Sequence, residues 1–206
     1  MSGIKITWQF FLTQGECFKM HCFRALLLSL SAAVLTTGCS LMAPQYSASI
    51  DNVQKLKDAG NYTAKVGEFA SGQGRGNVNP ISLRGSSMSS PYQSSYSKYV
   101  AEAIKQELSL ADKFAPNADV EVSGTLLKND LDASGFNTGT GEIEARFIVK
   151  KSGQILYDQV KSAHQEWPSS FAGAIAIPRA VQEYSNLVQK LLASLYADNA
   201  FLNALK

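Results

Sequence analysis

The chain has 206 residues, with 19 Lys+Arg against 17 Asp+Glu and a formal net charge of +2. A balance this close to neutral, with no basic patch along the chain, argues against a nucleic-acid partner. Of the three cysteines, Cys17 and Cys22 fall within a leader, so the folded region is expected to hold no disulfide, thiolate nucleophile or cysteine metal site.

The leader is read from its order of charge and hydropathy. Met20-His21-Cys22-Phe23-Arg24 is a short basic start, and Ala25 to Leu35 is an uncharged run broken only by Ser29 and Ser31. Small residues follow, which is the pattern of a secretory signal. The run is too short to span a bilayer, which takes roughly 20 apolar residues. Met20 is a plausible initiator, because Met1 to Lys19 carries Trp8, Phe10, Phe11 and Glu16 and suits no targeting signal. Residues 1–38 are therefore set apart from the fold. The leader holds Lys5, Lys19, Arg24 and Glu16, so its loss leaves the two signs equal.

Thr37-Gly38-Cys39 at the end of the leader resembles the lipobox of bacterial lipoproteins, except that Thr36 stands where the box normally has Leu. The resemblance implies cleavage between Gly38 and Cys39, a diacylglycerol thioether on Cys39 and an acyl chain on its amine. The alternative is an ordinary signal whose cysteine is incidental. At about 0.8 kcal/mol per buried methylene, one chain anchors marginally and two or more anchor firmly. Ser40, where an Asp would imply retention in the inner membrane, implies the outer membrane, with the domain on its periplasmic face. Residues 39–50, small and polar with one Pro44, are expected to be a lipidated tether, and 51–206 a single domain.

Within that domain Tyr62 to Phe69 alternates as a modest first strand. Gly72-Gln73-Gly74-Arg75-Gly76-Asn77 is rich in glycine. A phosphate cradle would lead into a helix, whereas Asn79-Pro80 and a short strand at Ile81 to Arg84 follow, so a flexible loop is expected. Ser94 to Leu110 is the first helix, with Tyr96, Val100, Ala103, Ile104, Glu107 and Leu108 on its inner stripe. Two alternating strands follow, around Asp119 to Leu126 and Glu142 to Lys150. Lys151-Ser152-Gly153-Gln154 is a tight turn, and Ile155 to Gln165 returns as the last strand. A second helix is expected from Pro178, with its stripe running from Val181 to Leu195, and Phe201, Leu202 and Leu205 form one last turn.

Three hairpin-linked strands with one-sided alternation need a covering layer, and the helices supply it. The predicted fold class is α+β: a two-layer sandwich, β-α-β-β-β-α, with both helices on one face of a mainly antiparallel sheet. This order, together with Ser170-Phe171, an Ala-rich stretch, a Val/Leu helix and Ala197-Asp198-Asn199 before Phe201, resembles the YajG-type outer-membrane lipoproteins. Similar layouts occur in periplasmic lipoproteins that serve envelope export machines, which bears on company kept more than on mechanism.

Candidate chemistry is sparse. His164 is the only histidine beyond the leader, which leaves no histidine metal cluster and no spare base for a Ser-His-Asp triad. Glu142 and Glu144 share one side of a strand with Arg146, so a solvated charge ladder is expected over a glycosidase-like acid pair. Asp130, Asp132 and Ser134 followed by Gly135 resemble the start of a calcium loop, but Glu142 falls one position late, and a mobile hairpin loop is the expected state. Trp167 to Pro178 has no charge after the tryptophan. It reads either as a loop tucked over the sandwich or as an apolar docking patch formed by Trp167, Phe171, Ile175 and Ile177.

The expected function is a non-enzymatic, membrane-anchored periplasmic module that binds or scaffolds an envelope protein partner, with no cofactor beyond the lipid on Cys39. The alternatives are a hydrolase of envelope glycans using Glu142 or Asp130 and Asp132, and a self-assembling structural lipoprotein.

Overall fold

A computed structural model describes residues 40–74 and 76–206; Gly38, Cys39 and the signal lie outside them. Alternation builds the main sheet. Val120, Val122 and Leu126 of β5 (Val120–Asp132), Ile143, Ala145, Phe147 and Val149 of β6 (Thr138–Lys151), and Tyr157 and Trp167 of β7 (Gln154–Pro168) all turn to one side and are buried. The three strands form an antiparallel meander, and β2 (Ala64–Ser71) adds to it in parallel with β5, giving the order β2-β5-β6-β7. Ser152 and Gly153, both at positive φ (51° and 83°), make the two-residue turn between β6 and β7, the geometry that matches strand twist.

The covering layer comes from amphipathic helices. Helix α2 (Tyr96–Leu110) is capped by Ser95, whose side chain accepts from the Lys98 N–H, and buries Tyr96, Tyr99, Val100, Ala103, Ile104, Glu107 and Leu108. Helix α3 (Gly173–Tyr196) buries Tyr184, Leu187, Val188, Leu191, Leu192 and Leu195. The short α4 (Asn199–Ala204), capped by Asp198, returns Phe201 to the core beside Tyr157, with ring centroids 5.5 Å apart. The architecture is thus an α+β sandwich.

Four expectations are corrected. Helix α3 starts at Gly173 and carries Pro178 inside it, not at its first position. The helix-forming Ala174, Ala176 and Ala180 carry the turn past the proline, and burial of Ala176 and Ala180 holds it there. A second sheet, with order β1-β4-β3, was not anticipated: β1 (Ser40–Met42) runs parallel to β4 (Ser86–Ser89), which is antiparallel to β3 (Ile81–Leu83). Residues expected as a tether are therefore part of the fold. Ala43 and Tyr46 are buried, and α1 (Ile50–Asp58) begins on Ser49, which accepts from the Asn52 N–H. The glycine-rich loop is also tied down at its end, where the Asn77 side-chain amide donates to the Gly72 and Leu126 carbonyls.

What draws residues 40–58 inward is Glu107. Its Oε1 accepts from the Tyr46 hydroxyl (2.6 Å), the Ser49 N–H (3.0 Å) and the Asn52 side-chain amide (3.2 Å). Oε2 and the Tyr196 hydroxyl are buried without a partner. Burial raises the carboxyl above its ordinary pKa, and the hydrogen bonds from Tyr46, Ser49 and Asn52 only partly offset it. A carboxyl raised in the fold contributes stability that is fully present below the ordinary glutamate value of 4.5 and is lost as pH rises through the folded value.

Glu107→Gln keeps an acceptor for the three donors and removes this titration. The melting temperature of the variant should therefore gain on the parent as pH is raised from 4 to 8 in thermal scans. A difference that moves the other way would show that the hydrogen bonds outweigh burial. Glu107→Ala strands all three donors and should cost on the order of 3 kcal/mol.

Candidate functional site: an apolar tip held by Arg84

The turn between β3 and β4 is made by Arg84 and Gly85, both left-handed at φ 49° and 84°. That conformation is ordinary for glycine and unfavourable for arginine. The Arg84 guanidinium holds the turn to its surroundings. It donates through Nε to the Ala133 carbonyl, through Nη1 to the Phe171 carbonyl (2.6 Å) and through Nη2 to the Gly135 carbonyl (3.0 Å). One planar cation thereby joins the β5–β6 connection to the β7–α3 connection. A five-donor fork can serve several acceptors at once, and lysine cannot reproduce that.

Each connection is also ordered by a short-range bond of its own, Asp132 Oδ1 accepting from the Ser134 N–H (2.7 Å) and Ser170 Oγ from the Ala172 N–H (3.1 Å), while the Ser169 N–H donates across to the Asn137 carbonyl (2.8 Å) of the other. The Ser134 hydrogen bonds hold the Asp132 carboxyl below its ordinary pKa, with Arg84 adding to the effect. From this base Phe136 and Phe171 project and stack, with ring centroids 5.2 Å apart and planes 14° apart. They are 70% and 72% exposed, and Ile175 in the first turn of α3 is 63% exposed. The result is an apolar surface built on an ordered frame.

The predicted patch is thus divided. Phe171 and Ile175 belong to the tip. Trp167 does not: it is 3% exposed, at the end of β7, paired across the sheet with Gly139. A Cβ at Gly139 would stand 2.4 Å from Trp167 Nε1, so the glycine makes room for the indole. Ile177 is half-buried against the core. Phe136 was missed, although a lone large apolar residue in Ser134-Gly135-Phe136-Asn137-Thr138 is a signal for it.

The other candidates lie on strands. Asp130 is in β5 opposite Glu142 and Asp132 ends that strand with its carboxylate turned to Ser134, so the expected hairpin loop is strand as far as Asp132 and a connection from Ala133 to Asn137. On the uncovered face of the sheet Glu142 pairs with Lys128, Arg146 pairs with Asp158 (Nε to Oδ1 2.6 Å), and His164 stands 3.8 Å from Glu142 and 3.3 Å from Glu166. Glu144 lies opposite Lys128 and Ser162. The Lys128 ammonium holds the Glu142 carboxyl below its ordinary pKa. Among the described residues no cluster of three or more His, Cys, Asp or Glu could hold a metal ion, and no helix is long and apolar enough to cross a membrane.

No protein-family model matches the chain. No curated protein matches it either. Among solved structures it is similar to protein XCC0632 from Xanthomonas campestris, of the DUF330 family, at 11% identity and a TM-score of 0.52, over 80% of this chain and 96% of that one. A Caulobacter crescentus protein described as a lipoprotein candidate aligns at 12% identity with a TM-score of 0.42, over 75% and 96% of the two chains. The PelC dodecamer from Paraburkholderia phytofirmans gives 16% and 0.33, over 76% and 94%. The first of these likenesses shows a shared fold, and none singles out the YajG-type group.

Substitutions separate frame, tip and core. Arg84→Ala should cost roughly 1–3 kcal/mol and speed amide exchange at Ser134–Thr138 and Ser169–Ala172. Phe171→Ala should change unfolding free energy by less than about 0.5 kcal/mol, whereas Trp167→Ala should cost about 3–5 kcal/mol. Equal costs in denaturant titrations would place Phe171 in the core.

Proposed function

We propose that the chain is a lipid-anchored accessory module of the cell envelope, carried on Cys39 at the periplasmic face of the outer membrane. Its domain binds or scaffolds an envelope assembly or export system and uses the Phe136–Phe171–Ile175 tip as a contact surface. The observation that carries this reading is the passage of Ser40 straight into β1, next to β4. With no free tether after the cysteine, a lipid there holds the domain close against the bilayer. The tip supports the same reading, because an exposed aromatic stack on an ordered frame is preorganised for contact.

The hydrolase reading is weaker. A general acid needs a raised pKa, and Glu142, exposed and paired with Lys128, is shifted the other way. A self-assembling lipoprotein remains the reading to set against a monomeric module, and sedimentation of the detergent-solubilised protein separates the two.

The anchor is tested in cells fed a labelled fatty acid. The parent chain should take up label and sediment with outer membranes, while Cys39→Ser should lose both. A label-free parent that is released without detergent overturns the proposal.

A further inference from the structure

The contact made by the tip follows from where the chain joins the fold. Strand β1 runs parallel to β4, and Ser40 pairs with Ser87. Strand β4 itself begins right after the Arg84–Gly85 turn. At about 3.3 Å per strand residue, Ser40 therefore sits within roughly 10 Å of that turn along the strand direction. The Arg84 guanidinium reaches from the same turn to the carbonyls of Phe171 and Gly135. The first residue after Cys39 and the two exposed rings thus occupy one end of the domain. The β6–β7 turn, at Ser152 and Gly153, lies at the opposite end of strand β6 from the connection that carries Phe136.

Composition at that end decides between occupants. Ala133 to Gly141 and Pro168 to Pro178 contain no charged side chain. The cation at their base, Arg84, directs its donors to backbone carbonyls. A protein partner recognised in register would be expected to meet charged side chains at a rim. The Asp132 carboxylate at the base is occupied by the Ser134 N–H, so the projecting surface of two rings, an isoleucine and uncharged side chains suits a lipid interface, where little charge has to be desolvated.

We propose that Phe136, Phe171 and Ile175 insert into the lipid surface beside the acyl anchor, so that the domain sits on the membrane in one fixed orientation. This rests on the anchored reading given above. The acyl chains hold the protein at the bilayer, and the tip sets which faces look away from it. The uncovered sheet face, with its Lys128–Glu142 and Arg146–Asp158 pairs, is then left free toward the periplasm for a protein partner.

The mature domain has no other thiol once Cys39 is acylated, so single cysteines can be labelled uniquely. Exposed positions next to the tip, Asn137→Cys and Ala174→Cys, and one at the far end, Gln154→Cys, would carry an environment-sensitive fluorophore on the full lipidated protein. The protein is reconstituted in phosphatidylethanolamine/phosphatidylglycerol vesicles containing nitroxide-labelled lipid. Quenching at 137 and 174 should exceed that at 154 by at least threefold. The double substitution Phe136→Ser and Phe171→Ser should abolish the excess while the protein still floats with vesicles and melts at the parent temperature.

Three outcomes overturn the inference. Equal quenching at all three positions in floating, acylated protein removes it and leaves the anchor standing. Photocrosslinks in cells from 137 and 174 to a protein, with no lipid adduct, assign the tip to a protein partner instead. A chain without lipid on Cys39 removes the anchored reading and this one with it.

Discussion

A single buried carboxylate fixes where the domain begins. Glu107 faces inward from α2, in a place that costs an isolated charge several kcal/mol, and it persists because three donors converge on one of its oxygens. All three donors belong to residues 46–52, a polar stretch with little apolar surface of its own to bury. Hydrogen bonding holds that stretch together with the burial of Tyr46, whose ring meets Tyr99 edge-on. The Asn52 amide also donates to the Gln189 carbonyl of α3, and the Tyr99 hydroxyl donates to the Pro44 carbonyl, so the segment is joined to both long helices. The position of β1 follows from this docking.

The tip applies the same economy at the other extreme of exposure. Two phenylalanines in water gain little from each other, and a free loop would fold them away. Arg84 prevents this by occupying the backbone carbonyls of both connections, at the cost of a left-handed residue in its own turn. A left-handed non-glycine residue is unfavourable by roughly 1–2 kcal/mol, which charge-assisted hydrogen bonds can offset. Trp167 and Gly139 complete the frame from below, since the indole fills the space that a side chain at 139 would need.

Electrostatics divides the surface. The uncovered sheet face holds paired charges, each screened by water and contributing little to stability. Glu142 and Asp158 there are stabilised in their ionised form by a neighbouring cation, which is the reverse of what a general acid needs. The tip has the opposite character.

Much of this was legible in the residue order. Period-two alternation named the meander, Ser152-Gly153 its turn, and the stripes from Tyr96 to Leu108 and from Val181 to Leu195 the covering helices, because each depends on neighbours close in sequence. The glutamate in the first stripe was visible as inward-facing, and the uncharged run after Trp167 was visible as unusual. What only the tertiary structure decided depends on partners far apart in the chain. Ser86-Ser87-Met88-Ser89 is a strand because β1 and β3 pair with it, and residues 40–49 are ordered because β4 pairs with their start and Glu107 accepts from Tyr46 and Ser49. Trp167 is buried and Phe171 exposed, though they stand four residues apart in one apolar run, because β7 turns the first onto Gly139 while Arg84, 87 positions before the second, draws its backbone outward. Local pattern sets which elements form, whereas the burial of a given side chain depends on what distant strands bring against it.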